Sequence, residues 1–331
     1  MLDTLHYQEK DPAQAEGHFD PLQFGSRNLV VGRNASGKTR LLRMIREYGA
    51  WLAGGRLPPP GRWMASHRLA GGAQAQYEFR LEEGGIWERF AAGDDFLLAR
   101  EGTAAWRHSP QAGRTPLPDP GPGSVLASVE GPPDQLRAWG GGIRFHPFSG
   151  QGAAGPLSPP VALEIAAEPV LSDMNRLGYP VEAVRQARDG LEFRERGVPV
   201  WIAESLGSTA LVRSLRFLLF LHGARLDASA RCLLVDDLAE GLDYERAGRL
   251  CGLLLERMEE WLGQWIVCSN DRQVMNRMPL DYWTLLEQAP GGRVRVINRH
   301  TAPALFENFR FTGLSHFDFF SMGFSEAGER E

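Results

Sequence analysis

Lysine, cysteine and long apolar runs are all scarce in this chain of 331 residues. The three cysteines, Cys232, Cys251 and Cys268, lie in apolar segments without metal-ligand spacing, which predicts reduced thiols in the core. No apolar run reaches bilayer-spanning length, and the segment from Met1 to Lys10 lacks the apolar centre of a signal peptide. We therefore expect a cytoplasmic protein with no membrane partner. No heptad repeat is sustained, which excludes long coiled-coil arms.

The charge balance limits the partners of the chain. The formal net charge is −5, and the chain has only two lysines, Lys10 and Lys38, so arginine supplies nearly all the positive charge. This balance excludes a surface coated for non-specific DNA binding, but a local basic patch keeps nucleic acid among the candidate partners. With 43% hydrophobic and 23% charged residues, the chain can form one large domain or a domain with an insert.

The segment from Gly32 to Thr39 fits the pattern G-x-x-x-x-G-K-[ST] of a P-loop. The apolar run before it predicts a buried strand, and the apolar spacing after it predicts a helix. The loop N–H groups and the helix N-terminus would bind phosphate, Lys38 would reach the β- and γ-phosphates, and the Thr39 hydroxyl would ligate Mg²⁺. We expect Lys38 to be catalytic as well as binding. The predicted nucleotide-binding residues here are Gly32, Arg33, Asn34, Ala35, Ser36, Gly37, Lys38, Thr39 and Arg40.

An apolar strand from Cys232 to Val235 ends in two carboxylates, Asp236 and Asp237. A strand that ends beside a P-loop can deliver a carboxylate to Mg²⁺, and we assign this role to Asp236. Asp237 would then orient or deprotonate the attacking water, which makes it the predicted catalytic base. The alternative is a pair of solvated aspartates at a strand end, and the accompanying P-loop favours the Mg²⁺ site.

Residues 204–209 open a strongly apolar helix and include Ser205 and Gly207. Ser and Gly at a helix start can form a plain N-cap. They can also present a hydroxyl, free N–H groups and a positive dipole to a γ-phosphate held by another subunit. The segment alone favours the plain cap. Its position between the P-loop and the paired aspartates favours a nucleotide contact by Ser205 and Gly207.

The remaining segments predict inserts and a tail. Residues 56–110 alternate between apolar and polar residues about Gly turns, which predicts an antiparallel β insert. Residues 111–200 are predicted to be loops and helices, with a mixed helical pattern over 161–197. Residues 201–300 hold the Ser-x-Gly helix, the paired aspartates, a strand that ends near Asn270 and a closing hairpin. The aromatic tail, residues 301–331, either packs on the core or docks another protein. The arginines that would form a basic face on the 161–197 helix are Arg185, Arg188, Arg194 and Arg196.

The order of P-loop, antiparallel insert, Ser-x-Gly helix, paired aspartates and last strand resembles the ABC-type ATPase heads of the RecF, SMC and OLD-like group. The likeness covers most of residues 1–300 and is greatest to small stand-alone bacterial ATPases of DNA repair or anti-phage defence. It implies an α/β P-loop NTPase fold over residues 1–331, with an ABC-ATPase-like three-layer core and an inserted antiparallel β-subdomain. Asn270 stands where such heads carry a catalytic switch histidine, and Gln151 stands near the position of their Mg²⁺-contacting glutamine. Because Asp237 replaces the usual glutamate and Ala35 a usual glycine, we expect slow or partner-activated hydrolysis.

The resemblance also implies partners and cofactors. It implies a homodimer or higher homo-oligomer in which ATP and Mg²⁺ lie between the P-loop of one chain and Ser205 and Gly207 of the other, with Asp243 coupling the halves. The implied function is a regulatory ATPase that clamps nucleic acid or controls a separate effector protein, in DNA repair or anti-phage defence. An ATP-binding scaffold with little hydrolysis and a membrane transporter ATPase subunit stay open, and the long β insert disfavours the transporter.

Overall fold

The computed structural model describes residues 1–9, 18–82, 84–93, 96–109, 113–149, 163–188, 190–259 and 261–322. Gln151, predicted to contact Mg²⁺, lies outside these ranges. Within them, no helix has both the length and the apolar character needed to cross a bilayer.

The strands, in chain order, are β1 (Leu2–Glu9), β2 (Leu22–Gln23), β3 (Arg27–Gly32), β4 (Gly61–Arg68), β5 (Gln74–Glu82), β6 (Gly85–Ala92), β7 (Phe96–Glu101), β8 (Ala104–Ser109), β9 (Gly113–Leu117), β10 (Ile143–Pro147), β11 (Val181–Ala187), β12 (Gly190–Glu195), β13 (Ile202–Ala203), β14 (Cys232–Asp236), β15 (Gln264–Cys268), β16 (Trp283–Gln288) and β17 (Val294–Asn298). The α-helices are α1 (Lys38–Leu52), α2 (Pro132–Gly141), α3 (Leu163–Arg176), α4 (Thr209–Leu226), α5 (Tyr244–Met258), α6 (Arg272–Arg277), α7 (Pro303–Arg310) and α8 (His316–Ser321).

A six-stranded sheet in the order β10-β14-β15-β3-β16-β17 forms the centre of the molecule. Its first five strands are parallel, and β17 returns antiparallel to β16 as the predicted closing hairpin. The P-loop strand β3 therefore lies between β15 and β16, and it ends at the same edge as β14. Because the carboxyl ends of parallel strands share one edge of a sheet, the loops after β3, β14, β15 and β10 lie together.

Alternate residues of the central strands face two different apolar cores. Leu29 and Val31 of β3 belong to the core that includes α4 and α5, whereas Val30 belongs to the core shared with α1 and the antiparallel sheet. Helix α1 buries Leu41, Ile45 and Tyr48 in that second core, as its helical spacing predicts. The predicted three-layer α/β arrangement follows from this alternation.

The antiparallel strands form an eight-stranded sheet in the order β2-β1-β4-β5-β6-β7-β8-β9. The predicted meander over residues 56–110 is present, but its strands run from Gly61 to Leu117 and the N-terminal strands β1 and β2 complete the same sheet. Gln264 of β15 joins this sheet to the central one, because its buried amide donates to the carbonyls of Leu2 and Gly25, each at 2.8 Å.

The helical prediction for residues 161–197 is wrong in its second half. Helix α3 ends at Arg176, and β11 and β12 then form an antiparallel hairpin that β13 extends to a three-stranded sheet. The predicted basic helical face does not exist, since Arg185 and Arg194 lie on these strands and pair with Glu192 and Glu182. Residues 111–200 also hold β9 and β10, and β10 is a strand of the central sheet rather than a loop or helix.

The C-terminal aromatic segment packs on the core through α7 and α8. Phe306, Phe309 and Phe319 are buried in the core that includes α4 and α5. The predicted packing is therefore confirmed for these three rings, whereas Phe311 between the two helices is 89% exposed. The three cysteines are buried free thiols, as the sequence predicts, and burial raises the pKa of each.

Candidate nucleotide site

The P-loop connects β3 to α1 through backbone conformations that few residue types adopt. Gly32 is closely packed, since a Cβ there would lie 2.2 Å from Ser36 Oγ and 2.8 Å from the Leu286 carbonyl oxygen. Gly37, at φ 100°, is the N-cap of α1. Ala35 takes φ 63°, a left-handed conformation that costs an alanine about 1–2 kcal/mol. The Gln288 side chain donates to the Ala35 carbonyl at 2.7 Å and holds the loop in this shape.

Lys38 is the buried cation of the loop. Its side chain is 6% exposed, and Nζ donates to the carbonyls of Gly32 at 2.9 Å and Arg33 at 3.2 Å. Burial lowers the pKa of the Lys38 ammonium, and the nearby Asp236 and Asp237 carboxylates oppose that change. An ammonium held here by carbonyl oxygens can exchange them for phosphate oxygens.

Asp236, at the end of β14, meets Thr39, the second residue of α1. Asp236 is 6% exposed, and the Thr39 side chain hydrogen-bonds its carboxylate. Burial raises the pKa of Asp236, and the Thr39 hydrogen bond and the Lys38 ammonium oppose the rise. The Oδ1 atom is buried without a hydrogen-bond partner within the described residues. A buried carboxylate oxygen with no partner, beside a hydroxyl, fits the ligand set of Mg²⁺.

Asp237 lines the same cleft but has a different backbone. It adopts φ 51°, a strained conformation for a residue other than glycine, which is a feature of many functional sites. Its Oδ2 accepts a hydrogen bond from Ser149 Oγ at 3.0 Å. Asn270, after β15, donates from Nδ2 to Asn34 Oδ1 of the P-loop at 2.7 Å. The structure therefore brings the predicted catalytic residues Asp237, Lys38 and Asn270 to one cleft.

This cleft has a volume of about 1040 Å³ and opens at the carboxyl edge of the central sheet. Three of its lining residues, Gln288, Glu240 and Arg43, and the neighbouring Ser149 were not predicted from the sequence. No local motif marks them, since they reach the site through strand order and through hydrogen bonds between distant parts of the chain. Of the predicted nucleotide-binding residues, those that line the cleft are Asn34, Ala35, Ser36, Gly37, Lys38, Thr39 and Arg40.

Ser205 and Gly207 do not line the cleft of their own chain. The N-cap of α4 is Ser208, whose Oγ accepts from the Leu211 N–H at 3.3 Å. The exposed Ser205 hydroxyl therefore does not serve as the helix cap, and it has no hydrogen-bond partner in the part of the chain that the structure describes. Gly207 packs closely, since a Cβ there would lie 2.9 Å from the Phe193 ring. Their contact with nucleotide stays a prediction.

The segment that carries Ser205 is fixed by an ion pair. Glu204 accepts from Arg216 of α4 at 2.6 Å and 2.8 Å and also from the Leu191 N–H at 3.1 Å. Asp243, predicted to couple two chains, is the N-cap of α5 and accepts from the Arg246 N–H at 2.9 Å. Its role in coupling is a prediction that its capping role does not test.

No family model matches the chain, and no curated protein matches it in sequence. Solved structures do resemble it. An SMC head domain from Thermotoga maritima is 18% identical, with 90% of this chain and 98% of that chain covered and a TM-score of 0.44. An Smc head bound to the C-terminal domain of ScpA derived from Pyrococcus furiosus is 13% identical, with 93% and 99% covered and a TM-score of 0.47.

A further structure has the higher TM-score of these three. It is an SmcHead bound to the C-winged helix domain of ScpA, and it is 13% identical, with 89% of this chain and 96% of that chain covered and a TM-score of 0.53. Identities this low concern the fold alone. The predicted fold class is confirmed: the chain has the P-loop, ABC-type α/β fold of an SMC head domain.

Proposed function

We propose that the protein binds ATP with Mg²⁺ and hydrolyses it in the cleft at the carboxyl edge of the central sheet. The observation that carries this proposal is the meeting of buried Lys38, Thr39 and Asp236, whose Oδ1 lacks a hydrogen-bond partner among the described residues. A buried carboxylate without a partner is costly unless a cation completes it. Asp236 and Thr39 would hold Mg²⁺, and bound Mg²⁺ would neutralise charge on the phosphates.

The residues of this chain would then divide the work of hydrolysis. Lys38 would bind the phosphate oxygens in place of the loop carbonyls. Asp237 would accept the proton of the attacking water as its oxygen bonds to the γ-phosphorus and the bond to the bridging oxygen breaks. Asn270 would donate an amide hydrogen bond near the γ-phosphate, without the charge that a histidine can carry. Ser36 Oγ, buried without a partner among the described residues, would serve as a further donor.

We propose that two chains complete each site. The Ser205 hydroxyl is exposed while Ser208 caps α4, so Ser205 is available to a ligand outside its own chain. Two apolar side chains close to this face are also exposed, Leu206 at 79% and Tyr244 at 72%. A head-to-tail homodimer would bury both and place Ser205 and Gly207 against the γ-phosphate of the partner. ATP would then stabilise the dimer, and hydrolysis would release it.

Light scattering with and without ATP–Mg²⁺ tests both proposals, because mass and turnover are separate readouts. We expect ATP to drive the chain to a dimer, and Asp237→Asn to keep that dimer while phosphate release falls at least a hundredfold. A chain that stays monomeric with ATP–Mg²⁺ contradicts the dimer. ATP binding without turnover by the unmodified chain contradicts hydrolysis and supports the ATP-binding scaffold.

A second proposed function is binding of nucleic acid, and an arginine-rich cleft favours it. The cleft, of about 980 Å³, lies between α1, β10 and the segment before β4, and Glu47 is its acidic residue. Arg46 stacks on Phe145 with its guanidinium carbon 4.3 Å from the ring centre. Arg43 lines both this cleft and the nucleotide cleft, so an anion here would contact the same helix as ATP. The four arginines of the cleft are Arg43, Arg46, Arg56 and Arg144.

Fluorescence anisotropy with a labelled oligonucleotide tests this second function. We expect Arg46→Ala/Arg56→Ala to weaken binding at least tenfold and to flatten its salt dependence by about two phosphate contacts. The matched control is Arg89→Ala/Arg225→Ala, which removes two exposed arginines elsewhere. Equal losses in both double variants, or no binding by the unmodified chain, contradict the proposal.

We propose that a separate effector protein reads the nucleotide state, in DNA repair or anti-phage defence. The support is an exposed apolar patch beside the aromatic tail, where Phe311 is 89%, Met322 59% and Leu314 45% exposed. Exposed apolar residues in one region favour protein contacts. A soluble Phe311→Glu variant with normal ATP turnover that fails to bind a partner encoded beside it would support this role; unchanged binding would contradict it.

A further inference from the structure

Ser149 lies directly beside Asp237, although 88 residues separate them in sequence. The parallel pairing of β10 and β14 brings Pro147 opposite Asp236, and the Phe148 N–H continues the pairing to the Asp236 carbonyl at 2.9 Å. Ser149 follows at the next position, where its Oγ donates to Asp237 Oδ2 at 3.0 Å. The contact is therefore a product of strand register and not of a flexible surface side chain.

The backbone of Ser149 is anchored from the helical side of the molecule. Arg213 of α4 donates from Nη2 to the Ser149 carbonyl at 3.1 Å and from Nη1 to the Glu240 carbonyl at 2.8 Å. Gly241 leaves room for this guanidinium, because a Cβ there would lie 2.7 Å from Nη1. One side chain thus fixes both the segment that carries Ser149 and the turn that follows Asp237.

Asp237 needs such support more than a glutamate would. Its side chain is one methylene shorter than glutamate, and its left-handed backbone at φ 51° sets where the carboxylate points. Ser149 occupies Oδ2, while Oδ1 has no hydrogen bond within the described ranges and the residue lines the cleft. A carboxylate tethered at one oxygen keeps a single rotamer and leaves the other oxygen to accept a proton.

We propose that Ser149 is a positioning residue that fixes the Asp237 carboxylate for attack of water on ATP. The inference rests on the proposed hydrolysis and adds a residue to it. Ser149 does not touch the reacting atoms in this assignment, so it acts on turnover and not on nucleotide affinity. That division separates it from a residue that merely stabilises the fold.

Steady-state turnover and ATP affinity of four proteins test the assignment: the unmodified chain, Ser149→Ala, Ser149→Thr and Ser66→Ala. We expect Ser149→Ala to lower kcat roughly 10- to 100-fold, as for loss of a hydrogen bond to a charged group, with KM and ATP affinity within about twofold. Threonine keeps the hydroxyl, so Ser149→Thr should recover most of the rate. Ser66→Ala removes a part-buried serine hydrogen bond to Thr4 far along the antiparallel sheet and should keep the full rate.

An Asp237→Glu background makes the test specific to the short side chain. Because glutamate reaches further, Ser149→Ala should cost at most about threefold there, so the two substitutions are non-additive. An equal loss in both backgrounds, a loss confined to KM, or full activity of Ser149→Ala overturns the inference while the proposed hydrolysis stands. Absence of turnover in the unmodified chain overturns the proposed hydrolysis and this inference together.

Discussion

Lys38 shows how narrowly a single residue of the site is determined. Its Nζ lies within hydrogen-bond distance of two loop carbonyls, and the side chain is almost fully buried. We predict that Lys38→Arg weakens ATP binding at least tenfold, since a planar guanidinium with five donors does not fit a space shaped for a compact ammonium. Titration with a fluorescent ATP analogue measures this. Arg33→Lys on the exposed part of the loop is the control, and equal affinities for all three proteins would contradict the prediction.

Asp173 of α3 forms a buried charge cluster outside the nucleotide site. Its side chain is fully buried and accepts from His222 at 2.8 Å and from Arg257 at 2.7 Å and 3.0 Å. Burial alone would raise the pKa of Asp173, but the hydrogen bonds from His222 and Arg257 lower it to about 2. A carboxyl with a lowered folded-state pKa stabilises the fold above its unfolded pKa near 3.8 and loses that effect as the pH falls towards 2.

We predict that Asp173→Asn lowers the free energy of unfolding at pH 7, and that its deficit shrinks by about 2 kcal/mol as the pH falls from about 4 to about 2. The reason is that acid protonates the Asp173 carboxyl and removes the charge that asparagine already lacks. Urea unfolding across this pH range measures the difference. Asp281→Asn, in an exposed ion pair with Arg310, should stay within about 0.5 kcal/mol of the unmodified chain at pH 7. A constant deficit for Asp173→Asn would contradict the cluster's charge.

Single residues were predictable from the sequence only where a local motif specifies their neighbours. Lys38, Thr39 and Asp236 follow from the P-loop and from an apolar strand that ends in carboxylates. Ser149 and Gln288 could not be predicted, because their partners Asp237 and Ala35 are 88 and 253 residues away and strand order alone brings them together. Asp173 and His222 stand on different helices, and no short pattern links them.

At the scale of one element, the start of α4 separates two serines by function. Ser208 caps the helix, whereas the Ser205 hydroxyl is exposed. We predict that Ser208→Ala lowers the free energy of unfolding by about 1 kcal/mol and leaves the ATP-driven dimer intact. Ser205→Ala should have the opposite profile, with normal stability and a dimer at least tenfold weaker. Urea unfolding and light scattering in ATP–Mg²⁺ distinguish them, and a shared profile would contradict the assignment of the two roles.

The elements of the central sheet were predictable, and the hairpin β11–β12 was not. Strands β3, β14 and β15 are continuous apolar runs, as parallel strands buried on both faces require. The β11–β12 hairpin is short and largely half-buried or exposed, with arginine and glutamate on both strands. Such a composition carries a weak alternating pattern, so the sequence alone favoured a helix there.

At the scale of the whole molecule, the C-terminal helices are part of the main core. Phe309 is 5% exposed and packs against Phe319 with ring centres 4.4 Å apart, whereas Phe311 is 89% exposed. We predict that Phe309→Ala lowers the free energy of unfolding by about 3–5 kcal/mol, while Phe311→Ala changes it by less than about 0.5 kcal/mol. Chemical denaturation measures both. A chain truncated before Thr301 should lose solubility, and a soluble, fully active truncation would contradict the role of these helices.

The position of β3 between β15 and β16 has a consequence for the newly made chain. The strand that leads into the phosphate loop is among the first to be synthesised, yet both of its neighbours follow more than 230 residues later. At about 5–20 residues per second, the ribosome needs roughly 10–50 s to deliver them. Until then the loop has no strands on either side and Asp236 has no sheet edge to share with it. A nascent chain should therefore gain its nucleotide cleft only near the end of translation, all at once, and a chain stalled before Trp283 should not be retained on immobilised ATP.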